Sequence, residues 1–421
     1  MKILIVGGGG REHALTWKIA KSPKVNKIYC APGNAGMAEI AECVNIAAEN
    51  VDGLLAFAEK NSIDLTVVGP EAPLAAGIVD KFRAHGLSIF GPTQKAAYIE
   101  GSKALAKEIM VKYNIPTAAY GDFTDLNEAL DYVRKVGAPI VVKADGLAAG
   151  KGVIVAMDME TALAAVKDIL GDKKFGNAGS RVIIEEYLEG EEVSVLAFTD
   201  GKTVIPMVSS QDHKRIFDGD RGPNTGGMGA YSPAPVYTEE MAVWVNENIL
   251  QATVNAMAAE GRLYEGILYA GLMLTTKGIK VLEYNARFGD PETQAVLVRL
   301  ETDLVEIIKA TIDHKLADMQ VKWSSEPAVC VVMAAGGYPE KYVKGDNITG
   351  LAEASKTAIV FHAGTALNDG KVVTAGGRVL GITAKGETIK AAVDNAYKAV
   401  TQINFQNAFY RKDIAYRALN R

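Results

Sequence analysis

The sequence predicts a multidomain protein of α/β and α+β type, opening on a parallel sheet and closing on a strand-rich unit. Three observations carry that prediction. Strand-like apolar runs alternate with helix-length segments over the first hundred residues. Between about 139 and 320, strands come in adjacent pairs separated by single helices. Beyond Ser324-Ser325-Glu326-Pro327 the chain is strand-rich with one clear helix.

In chain order, KILIV reads as a buried strand, Gly7 to Gly10 as a tight turn and REHALTWKIAK as a helix. KIYCAPGN is a second strand, VDGLLAFAEKNS a helix, DLTVVGPEAPL a strand plus loop, AGIVDKFRAHG a helix, and SIFGPT the closing strand. This alternation implies a Rossmann-like parallel sheet with right-handed crossovers, whose carboxyl-end loops (GGGGREH, APGNAG, GPEAPL) are where ligands bind. A helix starts at about Ser102 and is broken at Pro116. PIVVKADGLAAGKGVIVAM reads as two strands around a glycine-rich loop, METALAAVKDIL as a helix, and RVIIEEYLEGEEVSVLAFTD as two strands around an acidic turn. LYAGLMLTTKGIKVLEYN is a further strand pair, and GETIKAAVDNAYKAVTQI the C-terminal helix. Boundaries fall near 102, 192 and 325, giving units of 1–102, 103–325, with a mobile subdomain at about 120–192, and 326–421.

Composition narrows the function. The 421 residues are 48% hydrophobic and 23% charged, ordinary for a globular protein. A formal net charge of -5 argues against nucleic-acid binding, which needs a basic face. Cys30, Cys43 and Cys330 are scattered, no CxxC pair exists and only five histidines occur, so zinc is not expected. Free thiols fit a reducing cytoplasm, the expected location. The N-terminal apolar run is too short for a secretory signal, and no run of about 20 apolar residues occurs, so no membrane contact is expected.

Five stretches carry chemistry. KADGLAAGKG misses the phosphate-loop pattern twice: Gly146 to Gly150 is one residue short, and Gly152 stands where a hydroxyl belongs. The next residues, VIVAM, are strand-like, so the stretch is a hairpin loop able to fold over a polyphosphate, with Lys143 supplying charge; a solvated glycine-rich hairpin is the alternative. In VIIEEYLEGEEVSV, Glu185 to Leu188 offer backbone groups to an adenine edge and Glu192 accepts from ribose hydroxyls, unless this is only a solvated acidic turn. In VLEYNARFGDPETQ, strand periodicity puts Glu283, Asn285 and Arg287 on one face. A carboxylate and an amide oxygen are hard ligands that suit Mg²⁺, and Arg287 suits a phosphoryl group or a carboxylate. The segment SSQDHKRIFDGDRGPNTGGMGAYSP is too long and polar for an idle loop; Asp212, Lys214, Arg215 and Asn224 are candidate ligand groups, with His213 a ligand or a packing residue. GGGGREH departs from the dinucleotide fingerprint, because Glu12 replaces its third glycine. NAD is therefore not expected, while Gly9 and Arg11 at a helix N-terminus suit a single phosphate.

In their order along the chain, these motifs resemble the ATP-grasp superfamily, and within it the phosphoribosylamine–glycine ligase family. The carrying residues are GGGGREHAL, APGNAG, GPEAPL, KADGLAAGKGV, QDHKR, NTGGMGAYSP, EYNARFGDPETQ, AGGRVLG and FYRKDIA, spread over essentially the whole chain. The resemblance implies a pre-ATP-grasp N-terminal domain, a two-part ATP-grasp core and a C-terminal domain. It implies a ligase consuming ATP, glycine and 5-phosphoribosylamine through a glycyl phosphate, in purine biosynthesis, with Mg²⁺ or Mn²⁺ as cofactor. It assigns the metal to Glu283 and Asn285, and ATP to Lys103, Lys143, Gly150, Lys151, Glu185, Glu186, Leu188, Glu192 and Lys214. Gly9, Arg11, Asn34, Glu71, Asp212, Asn224, Arg287 and Asp290 would hold the other substrates, with Arg287, Lys143 and Asp212 closest to the chemistry. A monomer is expected. Two departures stand out: the strand before Glu283 offers no further carboxylate ligand, and Ala415 stands where the family has glycine. Three rivals remain: an ATP-grasp carboxylase, a dehydrogenase built on the N-terminal turn, and a nucleotide sensor without catalysis.

Overall fold

The computed structural model describes residues 1–146, 152–174 and 176–421. Strands β1 (Lys2–Gly7), β2 (Lys27–Pro32), β3 (Glu42–Cys43), β4 (Leu65–Val68) and β5 (Ile89–Phe90) form one parallel sheet in the order 3-2-1-4-5. The order reverses between β1 and β4, so the loops leaving their carboxyl ends face the same crevice. GPEAPL, expected as loop, contains a short helix, Glu71–Ala75, that presents Glu71 there.

Helix Lys103–Lys112 begins on Ser102, whose Oγ accepts the Leu105 N–H at 3.1 Å. An antiparallel sheet comes next, made of β6 (Tyr120–Phe123), β7 (Ile140–Ala144), β8 (Val153–Ala156) and β9 (Val182–Glu186) in the order 6-9-7-8. Alternation along β7 divides its residues. Ile140, Val142 and Ala144 join a small separate core with helices Leu126–Val136 and Met159–Val166, while Val141 and Lys143 face a cleft.

The next strands are β10 (Glu191–Asp200), β11 (Val204–Pro206), β12 (Gln211–Asp212), β13 (Arg215–Phe217), β14 (Arg221–Asn224), β15 (Gly229–Ser232), β16 (Glu265–Thr275) and β17 (Gly278–Asn285). Strands 11-10-16-17 make an antiparallel sheet against the cleft. The segment read as a long loop is therefore four short strands. Its buried apolar residues, Ile216, Met228, Ala230 and Tyr231, are too few in each short strand for a period to show. Strand β12 pairs with β15, and β15 with β18 (Ala328–Ala334); β19 (Ile359–His362) and β20 (Arg378–Lys385) complete that sheet in the order 12-15-18-20-19. Backbone from before residue 325 thus builds part of the C-terminal sheet. No helix among the described residues is long and apolar enough to cross a membrane.

The C-terminal tail is pinned to the β13–β14 hairpin chiefly through Arg411, with Arg417 also pairing with Asp220. Arg411 is fully buried and holds Asp413 in a two-pronged pair, both bonds 2.8 Å, while its Nη1 reaches Asp220 Oδ1 at 2.8 Å. Tyr416 Oη also donates to Asp220, at 2.8 Å. Burial opposes ionisation of Asp220, but His213, Arg411, Tyr416 and Arg417 outweigh it and hold this carboxyl well below its ordinary range. Ala415, in the same tail, adopts φ +67°, a left-handed conformation glycine enters freely, which gives the expected glycine a physical reason.

Because the folded Asp220 is more acidic than the unfolded one, its stabilisation is complete above about pH 4 and is lost as pH falls below that. Arg411→Met should therefore cost about 3 kcal/mol at pH 7 in urea denaturation. Below pH 4 the variant should lose stability less steeply than the parent. Parallel curves would remove the pair from the account.

Candidate active site

A cleft of about 730 Å³ lies between the carboxyl ends of β1 and β4, the β6–β9 sheet and the β10–β17 sheet. It is lined by every site residue expected from the sequence except Asn34, Gly150 and Lys151. Gly150 and Lys151 lie outside the described residues.

Asn34 is a correction. Its Nδ2 donates to Gly8 O at 2.9 Å and His362 O at 2.8 Å, and its Oδ1 accepts from Gly36 and Met37 N–H, each at 3.0 Å. The amide is committed to tying the loop after β2 to the β1 turn and to the C-terminal domain, and does not reach for a sugar.

The N-terminal turn also differs from expectation. Gly9 N–H is taken by Glu12 Oε2 at 2.7 Å, and Arg11 N–H by Asp290 Oδ2 at 3.0 Å. The Arg11 side chain is held by Glu12 Oε1 at 2.6 Å and Phe288 O at 3.0 Å. The donors expected to hold phosphate at Gly9 and Arg11 already hold carboxylates, so this turn is not an open anion cradle.

At the centre, Glu283 and Asn285 stand on one face of β17. Burial opposes the charge on Glu283, but Lys214, Lys143, Lys103 and Arg287 outweigh it and keep its carboxyl below the ordinary range. Lys214 pairs with Glu192. Burial works against the Lys214 charge as well, yet Glu192, Asp212 and Glu283 raise its pKa well above the usual value. Asp212 moves the other way: burial, and then Glu292, Glu192 and Glu283, push it up to about 7 against the pull of Lys214. The register places Gly271 of β16 opposite Glu283, so that strand puts no carboxylate beside it. Two hard oxygens on one strand face, ringed by cations that suit phosphate oxygens, fit Mg²⁺, which keeps several waters or phosphate oxygens of its own. Among the described residues no group of three or more His, Cys, Asp or Glu is placed to hold a metal alone.

Arg287 is a junction. Its Nε lies 3.1 Å from Glu71 Oε2 and its Nη2 2.9 Å from Glu100 Oε1 and 3.2 Å from Asn285 Oδ1. Nη1 donates to Phe288 O at 3.2 Å, which leaves one guanidinium N–H unassigned among the described residues. Burial opposes its charge, and Glu100 and Glu71 outweigh that and raise its pKa further.

On the opposite wall, buried Glu185 bridges two lysines, Lys143 at 2.8 Å and Lys107 at 3.1 Å. Burial lowers Lys107 to about 8 although Glu185 raises it. The backbone of Glu185 is paired in the sheet with Tyr120 and Val141, and Glu186 N–H donates to Ala119 O at 2.8 Å. The Glu185 backbone is thus committed to the sheet and the Glu186 N–H is taken, while Glu186, Tyr187 and Leu188 line the cleft wall beyond it. Leu188 packs with Ala118 and Met273, and Glu186 pairs with Lys280 at 3.1 Å. Lys103 Nζ donates to Gly146 O at 3.1 Å, at the edge of the glycine-rich stretch. Asn224 ends β14 at the cleft wall. His213 takes its packing alternative: it is buried, and its Nε2 accepts the Ala415 N–H at 3.0 Å.

Sequence reading missed Lys107, Glu100, Glu292 and the role of Glu12. Lys107 was findable, being one helical turn beyond Lys103. Glu292, whose Oε1 accepts from Tyr269 Oη at 2.5 Å, lies inside the EYNARFGDPETQ motif itself. Glu100 carries no local signal; only the tertiary fold brings it to Arg287.

The chain matches three family descriptions in succession: phosphoribosylglycinamide synthetase N domain over residues 1–100, its ATP-grasp (A) domain over 101–293 and its C domain over 328–417. It is 56% identical over 425 residues to a phosphoribosylamine–glycine ligase of Pseudomonas aeruginosa, covering 100% of this chain and 99% of the relative. A ligase of the same name from Yersinia pestis is 56% identical over 426 residues, covering 100% of both. The crystal structure of the Thermotoga maritima phosphoribosylamine–glycine ligase superposes with a TM-score of 0.85 at 35% identity, covering 99% of this chain and 100% of that one. A biotin carboxylase domain of Hydrogenobacter thermophilus 2-oxoglutarate carboxylase, solved with MgADP and bicarbonate, shares the fold at a TM-score of 0.74 and 15% identity, over 97% of this chain and 91% of that one. Fold likeness alone leaves a carboxylase open, but matched domains and identity over the full length do not: the chain belongs to the phosphoribosylamine–glycine ligase family of ATP-grasp enzymes.

Proposed function

We propose that this protein joins glycine to 5-phosphoribosylamine with ATP, through a glycyl phosphate, giving glycinamide ribonucleotide, ADP and phosphate for purine synthesis. The observation that carries the chemistry is the ring of Lys103, Lys143, Lys214 and Arg287 around the ionised Glu283. A carboxylate is a poor acyl donor, so the glycine carboxylate oxygen first takes the γ-phosphoryl group. Charge on that group during transfer needs preorganised cations, and the four side chains supply them without rearrangement.

Glu283 and Asn285 would hold Mg²⁺ or Mn²⁺, which would neutralise phosphate charge during transfer. Glu186, Tyr187 and Leu188 offer the adenine edge, and Glu192 faces the ribose. Asp212 accepts from the glycine ammonium. The remaining N–H of Arg287 points the glycine carboxylate at the phosphoryl group. Glu71 and Asp290 orient the phosphoribosylamine, whose amine attacks the acyl carbon and expels phosphate. Positioning rather than covalent catalysis supplies the rate, consistent with the absence of a nucleophile–base pair from the motifs. Excluding water protects the acyl phosphate until the amine arrives.

Omitting one component at a time from an ADP-release assay tests the reading. Release should need Mg·ATP, glycine and the amine together; turnover with bicarbonate in place of glycine would return the carboxylase. Glu283→Gln should abolish turnover while the protein still melts cooperatively; loss of the cooperative transition would make Glu283 structural. Arg287→Met should behave differently. It strands Glu71 and Glu100, so calorimetry should record a loss of about 3–5 kcal/mol along with the loss of activity. An undiminished melting temperature in that variant would contradict the junction described for Arg287.

A further inference from the structure

Glu12 has no part in the proposed reaction, yet the N-terminal domain is shaped around its side chain. It is 2% exposed and its carboxylate reaches the cleft wall. Three glycines from two loops make room for it. A Cβ at Gly7 would stand 2.5 Å from Glu12 Cγ, one at Gly9 would stand 2.7 Å from Oε2, and one at Gly69 would overlap Oε1. Those loops leave β1 and β4, the strands flanking the reversal in sheet order.

A helix N-terminus at such a point ordinarily receives a phosphate. Here it receives the chain's own carboxylate, with Oε2 on Gly9 N–H and Oε1 on Arg11 Nε, while Asp290 takes the Arg11 N–H. A phosphate brought to this turn would meet two carboxylates. A hydroxyl or an amine would meet acceptors, because each oxygen of an ionised carboxylate has a second lone pair beyond the bond it makes here.

We propose that Glu12 is a specificity-determining residue. It fills the anion seat of the glycine-rich turn, so that the turn accepts the hydrogen-bond-donating part of the acceptor substrate, its ribose hydroxyls and amine, and rejects phosphate groups. This inference rests on the proposed ligase activity. It gives the broken dinucleotide fingerprint a positive role, with the glutamate as the internal substitute for a bound phosphate at the helix N-terminus.

The test is steady-state kinetics of the full-length enzyme and its Glu12→Gln and Glu12→Ala variants, with thermal melts alongside. Glu12→Gln keeps the shape and loses the charge. It should raise KM for phosphoribosylamine about tenfold, the worth of one hydrogen bond to a charged group, and leave KM for glycine and ATP unchanged. Glu12→Ala empties the seat, so inorganic phosphate should become a stronger inhibitor competitive with the amine. Should that variant fail to fold, Glu12→Gln alone decides. An unchanged amine KM in a folded Glu12→Gln, or an equal rise for all three substrates with a lowered melting temperature, overturns the inference. Absence of glycine- and amine-dependent turnover in the parent enzyme would instead overturn the ligase reading, without involving either variant.

Discussion

Buried charge is the constraint on which the rest of this structure depends. Taking a carboxylate or a guanidinium out of water costs several kcal/mol unless partners surround it. Arg287 meets that cost by drawing Glu71 from the loop region after β4, Glu100 from the helix leading out of the N-terminal domain and Asn285 from the end of β17. One side chain thus fixes three parts of the fold to each other at the point where the substrates would meet. Lys107, Glu185 and Lys143 do the same on the side of the β6–β9 sheet. The cleft is preorganised because its charges cannot be buried in any looser arrangement.

The same constraint explains the division of labour across the cleft. The wall built by β7, β17 and the β12–β13 turn gathers lysines around Glu283, a potential suited to phosphate oxygens. The wall built by the β1 and β4 loops and the segment after β17 gathers Glu12, Glu71 and Asp290, suited to hydroxyls and amines. Under the proposed function the polyphosphate would meet the first wall, and the hydroxyls and amine of the acceptor the second. The short Arg411 network stiffens the third side, where the C-terminal tail closes over the β13–β14 hairpin.

Much of this was legible in the sequence, and the failures have physical causes. The alternating elements of the first hundred residues predicted the parallel sheet because each crossover needs a helix. The Glu283–Asn285 pair was readable from strand periodicity, whereas Arg287 lies beyond the end of β17 and meets Asn285 through its side chain. Residues 209–231 were misread as loop because strands of two to four residues show no period. Asn34 was misassigned because a loop asparagine looks the same whether it serves a ligand or four backbone groups. The phosphate expected at Gly9 and Arg11 failed because the turn's donors are satisfied by residues 12 and 290, and the second partner is visible only in three dimensions.

The central claim is that the cation ring serves phosphoryl transfer to the glycine carboxylate. Its most direct test uses glycine labelled with ¹⁸O in the carboxylate and ³¹P NMR of the phosphate released during a complete turnover. The account predicts one ¹⁸O in each phosphate, because the oxygen that attacks the γ-phosphorus leaves with it when the amine displaces the acyl phosphate. Unlabelled phosphate, with product still formed, would contradict a glycyl phosphate and the role assigned to the ring.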